Sequence, residues 1–118
     1  MSLVDPTSSV LAAAMGGSMQ RQTVLTSDLA NADTANFQPQ DVDFQDQLNA
    51  AVSAGQPLSQ LTFQATTSPQ MAGVDGNGVN TDAVSADLAE NGLEYQALAQ
   101  VLSTHNSILQ EAMGTGGQ

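Results

Sequence analysis

From Val84 onward the chain places a packing residue in alternating steps of four and three: Val84, Leu88, Asn91, Tyr95, Leu98, Leu102, His105, Leu109 and Ala112. This is a repeat of about 3.5 residues, the pattern of a helix that lies along another helix. It predicts one long helix over residues 81–114, capped by Thr81 or Asp82 and stopped at Gly114, a residue that enters the left-handed region at little cost. Asp82 and Asp87 near its start suit the positive end of the helix dipole. Residues 115–118 read as a flexible tail by composition.

A weaker stripe of the same period precedes it: Leu11, Met15, Ser18, Gln22, Leu25, Leu29 and Ala32. Asp5-Pro6 reads as the start of that helix, with Asp as N-cap and Pro at the first helical position. Gly16-Gly17 interrupts it, and each interior glycine costs about 1 kcal/mol relative to alanine. Helix is thus expected more firmly from Ser18 to Ala32 than over the first three turns. Residues 31–39 (NADTANFQP) read as a loop in which Asn36 tolerates a positive φ.

The N-terminal helix and loop occupy residues 1–36, and an extended or irregular middle occupies 37–80. Within it, residues 42–52 (VDFQDQLNAAV) suit a short helix. Leu61, Phe63 and Ala65 alternate with Thr62, Gln64 and Thr66, the pattern of one short strand. Residues 71–80 are turn-rich. The middle is either a small β-containing excursion or disordered in the free chain. The expected fold is mainly α, with the two terminal helices paired as an antiparallel coiled-coil hairpin and partly disordered in the free monomer.

Composition limits how such a chain is held together. Among 118 residues, hydrophobic types make up 41% but aromatics only 3%. Burial stabilises by about 25 cal/mol per Å², and the residues that bury most area are scarce. An isolated subunit is therefore expected to be marginal, with partner subunits supplying further burial.

The net charge is −11, with twelve acidic residues and Arg21 as the only Lys or Arg. Neutralising phosphates requires a basic face, so neither nucleic acid nor an anionic lipid surface is an expected partner. There is no cysteine, hence no disulfide or thiolate chemistry. No apolar run reaches the roughly 18 residues of a membrane span. The stretch MSLVDPTSSVLAAAM has no basic n-region and is not a Sec-type signal, so the chain either stays in the cytoplasm or is exported by another route.

Little in the sequence supports catalysis. His105 is the only histidine and falls on the seam, where a packing role outweighs metal binding. No GxSxG elbow is present. Residues 75–82 (DGNGVNTD) approach a calcium loop at Asp75 and Asn77, but Val79, Asn80 and Ala86 fail its fifth, sixth and twelfth positions. Asp41, Asp43 and Asp46 read as a solvated acidic face. No cofactor or metal is expected, and no enzymatic activity. Asn91 either fixes register at the seam, as polar a/d residues do, or sits at a wet edge. Gly92 beside it would admit another backbone.

These residues resemble a known family. DLANADTANF at 28–37 is similar to the N-(I/L)-A-N-x-(D/N)-T-P-G-(Y/F) motif after the first helix of bacterial flagellar rod and hook axial proteins. DVDF at 41–44 and DGNGVNTDAVSADLAENGLEYQALAQVLS at 75–103 narrow the resemblance to the proximal rod. LAENGLEYQAL sides with one of the two sibling proximal-rod types, because the other carries an S-x-x-Y-Q-A-N sequence there. Ala35-Asn36 replaces the family's Pro-Gly, Gly92 stands where Ala is common, and basic residues usual near DVDF and in the last two turns are missing.

The resemblance implies a structural subunit of the proximal rod. Such subunits are exported unfolded by the flagellar type III route and lie in the periplasm-spanning part of the basal body. They self-assemble through their terminal helices into the drive-shaft tube that links the membrane ring and export-gate base to the distal rod. Its expected partners are other rod subunits, copies of itself, and that base. The expected assembly interface comprises Leu25, Leu29, Asn31, Asp33, Thr34, Val84, Leu88, Asn91, Tyr95, Leu98, Leu102, His105 and Leu109. The alternatives are another axial subunit of the same plan or an acidic helical adaptor or chaperone.

Overall fold

The computed structural model describes residues 5–73 and 78–116. Helix α1 spans Pro6–Ala30, α2 spans Phe44–Ser53 and α3 spans Thr81–Gly116. Strands β1 (Gln40–Asp41) and β2 (Thr66–Thr67) pair antiparallel, Gln40 with Thr67 and Asp41 with Thr66. Short 3-10 turns occupy Leu58–Gln60 and Pro69–Met71. The molecule is mainly helical and elongated, with extents of 65 × 27 × 15 Å.

The start of α1 follows the capping logic of its sequence. Asp5 Oδ1 accepts from the Ser8 amide at 2.7 Å, and Pro6 takes the first position, where no donor is needed. The helix passes through Gly16-Gly17 without a break and ends at Ala30. There the Asn31 side chain donates to the Ser27 carbonyl at 2.8 Å. Asn36 has a φ of 61°, the left-handed conformation expected of it. The cap of α3 is neither Thr81 nor Asp82: Asn80 accepts from the Ala83 amide at 3.1 Å. The helix also continues past Gly114 to Gly116.

The middle segment folds back onto α1. Helix α2 starts on an Asp43 cap. It ends at Ser53 with Ala54 as C-cap, and the φ of 71° at Gly55 lets Gly55 donate to the Val52 carbonyl and Gln56 to the Ala51 carbonyl, the paired bonds of a Schellman ending. The alternation over residues 61–66 governs burial without forming a full strand. Phe63 is buried, Leu61 and Ala65 are half-buried, and Thr62, Gln64 and Thr66 are exposed. The reason is a side chain: Gln47 accepts from the Gln64 amide at 2.7 Å and donates to the Gln64 carbonyl at 2.9 Å. It occupies the positions a neighbouring strand would use. Only Thr66–Thr67 reaches β1.

Two apolar clusters result. Ala14, Val42, Phe44, Leu48 and Phe63 form the larger, with Val10, Ala13, Leu61 and Leu98 packed against it. The Phe44 and Phe63 rings meet edge to face, 6.2 Å between centroids. Leu25, Met71 and Val84 form the second, between α1, the 69–71 turn and the first turn of α3. Most of the core therefore comes from the middle segment.

Candidate functional site

The site is the seam between α1 and α3. Every a/d position of α3 from Val84 to Leu109 is buried or half-buried, and Ala112 alone is exposed. Along the seam the α3 partners rise in number as the α1 residues fall, up to the two neighbouring pairs at the far end. Leu25 meets Val84, Arg21 meets Asp87, Ser18 meets Asn91, Ser8 meets Asn106 and Asp5 meets His105.

Asn91 sits at its centre, 1% exposed. Its Nδ2 donates to the Ser18 carbonyl and to Gln22 Oε1, both at 2.8 Å. Its Oδ1 accepts from Ser18 Oγ at 3.1 Å. All of its side-chain donors and one acceptor site are used, so burial costs little while any slip of register would strand polar atoms. The wet-edge reading of Asn91 is thereby corrected. Gly92 does not serve a close approach within the subunit, since a Cβ built there meets nothing within 4 Å.

Arg21 was legible only as a lone cation, yet it ties three elements together. Its Nε donates to Asp41 of β1 at 2.8 Å and its Nη2 to Asp87 of α3 at 3.1 Å. The Asp41 hydrogen bond holds the guanidinium above its ordinary pKa, with Asp87 and Glu90 adding to it. The solvated reading of Asp41, Asp43 and Asp46 is accordingly corrected at Asp41, which is half-buried. Asp43 caps α2, and Asp46 is exposed, its pKa raised by its contact with Asp43. At the far end, His105 Nε2 lies 3.1 Å from Asp5 Oδ2. The Ser8 amide, with smaller help from the Ser8 hydroxyl and His105, holds the Asp5 carboxyl below its ordinary range.

The other expected interface residues divide by position. Leu25 is fully buried, while Leu88, Tyr95, Leu98, Leu102 and Leu109 are half-buried along the seam. Leu29, Asp33 and Thr34 are exposed and Asn31 is half-buried. Thr34 Oγ1 donates to Asn31 Oδ1 at 3.1 Å, closing the turn after α1. Asp75 and Asn77 lie outside the described residues.

Two residues escaped the sequence reading. Gly17 is where Phe44 crosses α1: a Cβ there would lie 2.6 Å from Phe44 Cβ, so only glycine admits the crossing. Asp28 is 1% exposed. Its Oδ1 accepts from the Gln40 amide at 2.9 Å, but its buried Oδ2 has no partner. Burial pushes its carboxyl up from the ordinary value. Its place inside the helical run, three residues after Leu25 and flanking the seam, was the available signal.

Among the described residues no group of three or more His, Asp or Glu is placed to hold a metal, and no helix is long and apolar enough to cross a membrane. The geometry of the described residues joins helices.

No protein-family model matches the chain. Curated relatives do. The chain is 33% identical to the flagellar basal body rod protein FlgB of Yersinia enterocolitica, over 70% of this chain and 75% of that protein. It is 30% identical to the protein of that name in Escherichia coli, over 71% and 75%. It is 30% identical to that of Bacillus subtilis over the full length of both. With two long terminal helices joined by a satisfied polar seam and a relative that matches from end to end, the chain belongs to the flagellar basal body rod protein FlgB family.

Proposed function

We propose that the chain is a structural, non-enzymatic subunit of the proximal rod. Its α1 and α3 form an antiparallel coiled-coil hairpin that packs beside those of neighbouring subunits. It self-assembles into the drive-shaft tube between the membrane ring and export-gate base and the distal rod, and it reaches the periplasm-spanning rod by the flagellar type III route. The observation that carries this reading is the seam: a/d positions are covered from Val84 to Leu109 in a molecule 65 Å long and 15 Å thick. A shape with so thin a core gains burial by standing beside copies and other rod subunits. Ordering of the helix ends on assembly follows from the same argument.

Leu98→Asp and Leu102→Asp test it in a flagellated strain that relies on this chain. Each is expected to stop rod assembly and swimming while the chain is still secreted. Normal swimming in both would remove the seam from the account.

A further inference from the structure

Helix α3 carries a second apolar stripe, turned away from the seam. Leu93, Val101 and Ile108 are 69%, 52% and 58% exposed, and Ala97 between them is exposed as well. At about 100° per residue, these four fall within roughly 80° of arc, centred about 120° from the seam. The exposed acids Glu90 and Glu111 fall in the same sector, and exposed Asp82 lies just beyond its edge. Exposed aliphatics aligned along about four turns and bordered by charge mark an interaction face.

The cation inventory decides what covers it. Arg21 is the chain's only Lys or Arg. Its side chain is 15% exposed and already bonded to Asp41 and Asp87, and His105 is engaged by Asp5. A second copy therefore has no free Lys or Arg to set against Asp82, Glu90 and Glu111. Two copies stacked on this face would hold acid against acid within about 8 Å, the screening length at physiological salt.

We propose that the Leu93, Ala97, Val101 and Ile108 face of α3 docks an amphipathic helix of a different chain, one whose apolar stripe is bordered by Lys or Arg. The apolar residues supply the contact. The acids select the partner and reject a second copy, since charge at an interface rim governs specificity more than strength. This inference rests on the rod-subunit reading and names the chemistry of one neighbour.

A photo-crosslinking residue at Val101, and separately at Ile108, tests it in flagellated cells producing the chain. The expected adduct joins a different chain, at a peptide with apolar residues at helical spacing and at least two Lys or Arg within about two turns. An adduct to a second copy, a peptide lacking cations, or no adduct at either position overturns the proposal. The double variant Val101→Glu with Ile108→Glu is expected to reduce the swimming fraction at least tenfold while the purified chain keeps its helical circular dichroism. Unchanged swimming contradicts it. Leu98→Asp on the inner seam separates the two readings: if it stops swimming and the outer variant does not, only the docking face is wrong. If neither does, the rod reading itself fails.

Discussion

Gly17 and Gly16 are neighbours in sequence with opposite roles. A methyl at Gly17 would strike Phe44, whereas one at Gly16 meets nothing within 4 Å. Overpacking costs about 1–3 kcal/mol, while removing a helical glycine returns roughly 1 kcal/mol. Gly17→Ala should therefore lower stability in urea denaturation, and Gly16→Ala should raise it. Equal effects would show that Phe44 does not press on α1. Asp28 yields a pH-dependent prediction. Its folded pKa lies above the ordinary 3.8 because burial disfavours the charged form. Below the unfolded value both states are protonated and nothing is lost. As pH rises through the unfolded value, charging the buried group costs stability, up to the raised folded value. Asp28→Asn keeps an acceptor for the Gln40 amide and carries no charge. It should raise the melting temperature at neutral pH, with the gain fading toward about pH 3. A gain independent of pH would point to a different cause.

At the scale of elements, the two long helices were legible because their periods differ from everything around them. The α3 stripe also located its buried side correctly from Val84 to Leu109. The middle segment was not legible, because what orders it is long-range. Phe44 opens α2 and Phe63 lies beyond its end, so the two meet only in space, and Gln47 bonds the Gln64 backbone through an amide that no local pattern announces. Arg21 and Asp28 eluded the sequence for the same reason, since their partners Asp41, Asp87 and Gln40 lie on other elements. The seam's polar centre makes a further prediction. Asn91→Ala leaves the Ser18 hydroxyl and the Gln22 amide oxygen without their partner and should cost about 1–3 kcal/mol in thermal or urea unfolding. Asn91→Leu should recover part of that loss through apolar contact while loosening register, as at polar a/d positions elsewhere. A neutral Asn91→Ala would show that water replaces the network at no cost.

Across the whole molecule, a body 65 Å long and 15 Å thick has too little interior to be held by hydrophobic burial alone. It answers with polar closures at intervals: Arg21 with Asp41 and Asp87, Asn91 with Ser18 and Gln22, His105 with Asp5. Such ties specify alignment more than they add stability, which suits a part whose strength comes from its neighbours. The most direct test is a density map of the basal body from cells that build it with this chain. The account predicts, in the membrane-proximal rod wall, a helix pair in which Ser18 faces Asn91 and Leu25 faces Val84, with the Leu93 to Ile108 face against a different chain. A rod whose wall lacks this chain, or holds its two terminal helices apart, would contradict it.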